Sequence, residues 1–242
     1  MTEKNPALTS TETVDLGDQQ RTIEVLAKSV LGLWEVVNEL TRLRPTRHPE
    51  YRVTIFGSAR VKSDHWGYAA VRDLAAELAG MGCTIITGGG PGLMQAANEG
   101  AGLGKGAGKS RSVGIRVDLP FEQSSNPFVE QAFEHRTFFS RLHHFVLVSD
   151  AFVVVPGGIG TVLELMLVWQ LLQVRKLEST PLILVGPMWP ELIDWHKKFM
   201  LRPDVALASE PDLDIPQCVP GAKEAIAILR EHHAAWARNA PP

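Results

Sequence analysis

The sequence predicts an α/β fold: a Rossmann-like, doubly wound, mainly parallel sheet flanked by helices, with an extra N-terminal helix. Three observations carry this. Runs such as AFVVV (151–155) and PLILV (181–185) are apolar throughout, as strands buried on both faces of a parallel sheet must be. From about residue 50 the chain repeats strand, glycine turn, helix, which is the grammar of βαβ units. The glycines gather just after the strands, where open α/β sheets bind ligands.

Each element has its own justification. Residues 1–16 (MTEKNPALTSTETVDL) are polar and aperiodic, and read as a disordered arm. Residues 17–49 hold an amphipathic helix and a linker. Ile23, Leu26, Val30, Leu33, Val37 and Leu40 recur at spacings of three and four between about Asp18 and Arg44, and Pro45 and Pro49 then stop the helix. That stripe is expected to lie on the core or on a twin subunit. Residues 50–242 form the predicted Rossmann-like nucleotide-binding catalytic domain. Its strands are expected in YRVTIFGS, CTIIT, RSVGIRV, AFVVV and PLILVG. Its helices are expected in WGYAAVRDLAAELAGMG, LMQAANEGAGL, part of 126–149, TVLELMLVWQLLQV, PELIDWHKKFM and KEAIAILREHHAAWAR.

Composition narrows the function. With 242 residues, 45% of them hydrophobic, the chain can bury a substantial core. A formal net charge of −3 without a basic block argues against nucleic acid as a partner. No apolar run approaches the roughly 18 residues of a membrane span, and no signal-peptide core is present, so a cytoplasmic protein with no membrane partner is expected. Cys83 and Cys218, far apart in apolar company, read as reduced thiols.

Three turns follow three strands. FGSAR offers Gly57 and Ser58, a close backbone approach and a hydroxyl. TGGGPGLM offers Gly89, Gly90, Gly92 and Met94 ahead of a helix, where unhindered amides meet the positive end of the helix dipole. Each alone has a steric explanation, since tight turns use glycine. PGGIGTVLE is richer: Gly157, Gly158 and Gly160 permit close approach, Thr161 stands at an N-cap position, and Glu164 falls in the first helical turn facing the same cleft. A capping box would explain T-x-x-E but not the glycines before it. Upstream, EHRTFFSRLHHF supplies Arg136 and Arg141, either able to clamp a phosphate, with His135, His143 and His144. Adjacent histidines point about 100° apart on a helix, so no metal is expected. GKGAGKS (104–110) lacks the first glycine of a phosphate-binding P-loop and precedes a strand, so it reads as a mobile loop. No G-x-S-x-G elbow occurs.

GGGPGLM, Arg141, DAFVVVPGG and PGGIGTVLE together resemble the LOG ("lonely guy") family, over about residues 51–202. Its members are nucleoside 5′-monophosphate phosphoribohydrolases, known for cytokinin biosynthesis, and many bacterial ones carry the label lysine decarboxylase. The resemblance implies a Rossmann-like fold, a homodimer with sites near the subunit interface, and metal-free hydrolysis of an N-glycosidic bond. By position it makes Glu164 and Arg141 catalytic, and puts the substrate phosphate on Gly157, Gly158, Gly160 and Thr161. The chain departs from the family in Leu142, where arginine-lysine is common, and in Leu163, where many members carry a second acid.

Breaking a ribose C1′–N bond passes through an oxocarbenium-like state, which a carboxylate beside the anomeric carbon stabilises. The expected reaction converts AMP or a cytokinin-type ribotide to free base and ribose 5-phosphate, with no cofactor. Lysine decarboxylation would need a pyridoxal-bearing lysine, and Lys105, Lys109 and Lys176 fall in loops. The alternative is a non-catalytic carrier of nucleotide or molybdenum cofactor, which would not require the Arg141–Glu164 pair. In a third reading the N-terminal helix serves partner recognition.

Overall fold

The computed structural model describes residues 16–40, 48–104, 111–118 and 125–238. The predicted arm up to residue 15, the predicted helix end at 41–44 and the stretch 105–110 lie outside them. Packing divides the chain into Met1–Thr46 and Arg47–Pro242. The first unit holds helix α1 (Gln19–Leu40), whose Arg21 amide donates to Asp18 Oδ1 at 3.1 Å. Ile23, Leu26 and Val30 on its stripe are exposed.

The second unit runs β1 (Arg52–Phe56), α2 (Trp66–Gly80), β2 (Thr84–Thr87), α3 (Leu93–Leu103), β3 (Ser112–Val117), β4 (Gln131–His135) and α4 (Phe138–Val148). It continues with β5 (Ala151–Val154), α5 (Ile159–Gln173), β6 (Leu182–Val185), α6 (Met188–Met200), α7 (Glu210–Leu213), β7 (Pro216–Val219) and α8 (Ala222–Arg238). The seven strands lie in the order β4-β3-β2-β1-β5-β6-β7, all parallel. This is a Rossmann-like α/β sheet. Strand order reverses between β1 and β5, so the crevice that binds ligands in such sheets opens beyond Phe56 and Val154.

Alternate side chains of the central strands feed opposite cores. Val53, Ile55, Ile85, Val153 and Ile183 pack with α2, α3 and α8. Phe56, Ile86, Phe152, Val154, Leu182 and Leu184 pack with α4, α5 and α6. Burial of each such side chain contributes about 1.5–3 kcal/mol, which is why the strands are apolar on both faces.

The edges differ from the sequence reading. Residues 126–149 hold an edge strand as well as a helix: Gln131–Glu134 are exposed and too polar to signal a buried strand. α4 starts only at Phe138, where the Thr137 side chain accepts from the Ser140 amide. β7 opens on a proline, a residue tolerated at the start of an edge strand, and was likewise absent from the predicted strands.

Beneath the glycine-rich turn after β2 lies a buried polar knot. Asn98, on α3 and 0% exposed, accepts from Thr87 Oγ1 at 2.6 Å and from Asn126 Nδ2 at 3.0 Å. Its own amide donates to Ser112 Oγ at 2.9 Å. Thr87 Oγ1 in turn accepts from the Gly89 amide at 2.9 Å, and Asn126 donates to the Gly89 and Gly90 carbonyls, each at 2.9 Å. Asn98→Ala strands buried partners on three segments. The variant is expected to lose about 2–3 kcal/mol of stability, measured by urea unfolding.

Candidate active site

The three glycine turns meet at Ser58. Its amide donates to the Pro156 carbonyl at 3.1 Å, and its carbonyl accepts from the Leu93 amide at 2.8 Å. A side chain at Gly57 would press on Val155 and Leu93. Gly92 has φ +71°, and a Cβ there would run into the Ser58 carbonyl. Gly89, also at positive φ, has its amide and carbonyl engaged by Thr87 and Asn126, so it shapes the turn from within. Met94 lies at the start of α3, its sulfur 2.7 Å from where a Gly88 Cβ would stand.

The turn after β5 departs from the sequence reading in one respect. α5 begins at Ile159 with Gly158 as its N-cap, so Thr161 is not the cap but the third helical residue, buried against Gly157. Glu164 therefore lies in the second turn, out of reach of a capping box, and is buried at 9% exposure. The physical reason lies in the packing of Thr161: its side chain fills the space that a Cβ at Gly157 would need, so it folds back under the turn and the helix starts three residues earlier, from Gly158 in an extended N-cap conformation. Helix geometry leaves the amides of Gly158, Ile159, Gly160 and Thr161 without intrahelical acceptors. Space around Gly158 and Gly160 is open.

Arg141, in the first turn of α4, reaches across the end of β3. Its Nε donates to the Ile115 carbonyl at 2.9 Å, and the guanidinium lies 5.3 Å from the Phe145 ring centre. Its Nη1 stands 3.4 Å from Glu164 Oε1, both side chains nearly buried at 13% and 11% exposure. That distance is an ion-pair contact, longer than the 2.7–2.9 Å typical of a tight charged hydrogen bond. Burial pushes the Glu164 carboxyl up to about 7, and the Arg141 charge pulls against that rise.

Gly88 joins the site unforeseen, since a Cβ there would overlap the Arg141 guanidinium. The run of consecutive glycines was the available signal, but it does not say which one faces the arginine. The structure thus brings Arg141, Glu164 and the Gly157–Thr161 turn together, and sets Gly57, Ser58 and Gly92 beside them. Arg136 is exposed. His135 Nε2 and His144 Nδ1 pair at 2.9 Å, with burial holding both imidazoles below their usual range. Among the described residues no group of three His, Cys, Asp or Glu side chains is arranged to hold a metal, and no helix is long and apolar enough to cross a membrane.

A buried carboxylate and guanidinium thus lie at the carboxyl edge of a Rossmann-like sheet, beside the glycine turn that opens α5. Residues 94–229 match the family described as "Possible lysine decarboxylase", and the chain belongs to this family, the LOG family. It is 30% identical over 141 residues to the pyrimidine/purine nucleotide 5′-monophosphate nucleosidase of Escherichia coli (strain K12), covering 56% of this chain. The match spans only 31% of that protein's length. Solved structures share the fold. The molybdenum cofactor binding protein of Rippkaea orientalis has TM-score 0.57 at 17% identity, covering 76% of this chain and 98% of its own. The Moco carrier protein of Chlamydomonas reinhardtii has TM-score 0.55 at 19% identity, covering 77% and 99%.

The buried carboxyl makes stability depend on pH. The folded state holds the Glu164 proton more tightly than the unfolded chain, so the protein loses stability as pH rises from about 4.5 to about 7. Relative to Glu164→Gln, the wild type is expected to lose on the order of 3 kcal/mol over that window, read from urea melts at each end.

Proposed function

We propose that the chain hydrolyses the N-glycosidic bond of a nucleoside 5′-monophosphate, AMP or a cytokinin-type ribotide, releasing the free base and ribose 5-phosphate. The observation that carries this is the buried Arg141–Glu164 contact beside the free amides of the Gly157–Thr161 turn. The substrate phosphate lies over those amides at the positive end of α5, and Gly57, Ser58, Gly89, Gly90, Gly92 and Met94 wall the nucleotide. Holding the phosphate fixes the ribose, so binding energy far from C1′ lowers the barrier at C1′. As the C1′–N bond lengthens, positive charge grows on the sugar and the Glu164 carboxylate stabilises it. A water oxygen then bonds to C1′ as the C1′–N bond breaks, its proton passing to the carboxylate, while the departing base takes a proton from solvent and the carboxyl later returns its own to solvent. Arg141 draws Glu164 toward its ionised form against the effect of burial, and moves to the phosphate when substrate enters. The nucleosidase name of the Escherichia coli relative supports the reading. Pyridoxal chemistry fits poorly, since every lysine among the described residues is exposed and a Schiff-base lysine works from a desolvated pocket.

The carrier reading draws on one observation: Glu164 is already engaged by Arg141 in a nearly dry setting, so the pair can act as a cross-brace under the loop. A carrier binds nucleotide and releases no base.

A homodimer completes the proposal. Phe133, Phe138, Phe139 and Leu147 stand 37%, 49%, 88% and 37% exposed around β4 and α4, next to Arg141, an apolar face suited to a second copy.

Incubation with a panel of nucleoside monophosphates, followed by chromatography, is expected to show free base. Its rate should rise with pH through about 7, as Glu164 ionises. Glu164→Gln should keep the wild-type circular dichroism and lose at least about 100-fold in rate. An unchanged rate would remove Glu164 from the chemistry, and nucleotide binding without any base would favour the carrier. In gel filtration Phe139→Asp is expected to elute as a 26.5 kDa monomer, and the wild type at twice that mass.

A further inference from the structure

The cleft between α5 and α6 holds a cavity that the candidate active site does not use. Its volume is about 300 Å³, at the small end of the range of ligand sites. α5 lines it with Met166, Trp169, Gln170 and Gln173, whose spacings of three and four put them on one helix face. α6 adds His196 and Met200. Trp169 stands 11 residues past the Gly158 cap, about 16 Å along the helix, so the cavity belongs to the far part of α5 and not to the glycine turn.

His196 is the unusual member, with only 6% of its surface exposed. Its Nδ1 lies 2.7 Å from the Leu192 carbonyl, which can only accept, so Nδ1 carries the proton and Nε2 of the neutral ring is a bare acceptor. Among the described residues Nε2 has no partner, and it is not sealed in packed atoms as the unpartnered Trp189 Nε1 is. In a ring this buried, the space left for it is the cavity that the ring lines. An acceptor left without a partner costs stability, and a donor arriving in the cavity recovers it.

The walls select the kind of donor. Trp169 is pinned by its Nε1, which donates to the Asp212 carbonyl at 2.7 Å, and its ring centre stands 4.9 Å from that of His196. The Met166 and Met200 thioethers complete an apolar lining suited to an aromatic ring, since sulfur and ring attract. At the rim the Gln170 amide donates to Gln173 Oε1 at 2.8 Å, so these two side chains serve each other and leave the selection to His196. Asp212 is the one charged side chain among the described lining residues, and the Ser209 amide donating to it holds its carboxyl below the usual carboxylate range. An anion is therefore turned away.

We propose that the cavity between α5 and α6 binds a neutral heteroaromatic ring, seated among Trp169, Met166 and Met200, whose edge N–H donates to His196 Nε2. The site is separate from the nucleotide reading given above and does not rest on it.

The test is a nitrogen-edited NMR titration of the full chain with indole, and with benzofuran, which has the same shape but no donor. The Trp169 indole N–H signal, identified by its loss in Trp169→Phe, reports occupancy. Indole is expected to shift that signal saturably and to bind about fivefold tighter than benzofuran. In His196→Phe, which keeps a ring and removes the acceptor, the two probes should bind alike. Ala208 also lines the cavity, so Ala208→Phe should fill it and bind neither probe, and this variant serves together with the wild-type ratio if His196→Phe does not fold. A Trp169 signal that indole leaves unmoved, or moves equally in Ala208→Phe, overturns the site and leaves Nε2 to a water. Equal binding of the two probes by the wild type, or a preference for indole kept in His196→Phe, overturns the role of His196. Each readout is binding at Trp169, so none depends on whether the chain releases a base.

Discussion

A carboxylate taken out of water must be neutralised or paired, and Glu164 is held between those two outcomes. Burial alone would leave it protonated, and the Arg141 guanidinium across 3.4 Å draws it back toward the charged form. Neither group keeps this balance unaided. Arg141 is aimed by the Ile115 carbonyl and the Phe145 ring, and its tip fits only because Gly88 has no side chain. The ends of β2 and β3 and two helices on the same face of the sheet therefore converge on one ion pair.

The sheet makes that convergence possible. Because strand order reverses between β1 and β5, the loops after these strands leave the sheet side by side, and Ser58 can touch the segments of both Pro156 and Leu93. The Asn98–Asn126 knot then fixes the neighbouring glycine turn from below, so that both backbone groups of Gly89 and the Gly90 carbonyl are already engaged without a ligand. Rigid backbone beneath, open amides above and a poised pair alongside are what a site that works by positioning requires.

The sheet's interior was legible because its signal is redundant. Val153 and Phe152 face opposite cores, and both must be apolar for a strand covered on two sides. β4 was not legible: Gln131 to Glu134 bury little, so packing imposed no pattern on them. In the candidate site, PGGIGTVLE announced a close-approach turn and a nearby carboxylate, yet not the register of α5. The helix starts from Gly158 and not from Thr161, which carries Glu164 from the first turn into the second, under the surface. Gly88 and Asn98 act through distant partners, and a contact between Gly88 and Arg141, far apart along the chain, leaves no trace in local periodicity.

The overlap of Gly88 with Arg141 has an evolutionary consequence. The arginine's tip and the Met94 sulfur both stand in the volume that a Cβ at position 88 would take, and both are far ends of flexible side chains. A side chain at 88 is admitted once residues 94 and 141 swing aside, and for Arg141 that swing disturbs its reach to Glu164. Across relatives, position 88 should therefore vary in concert with both of these partners, and not with the arginine alone.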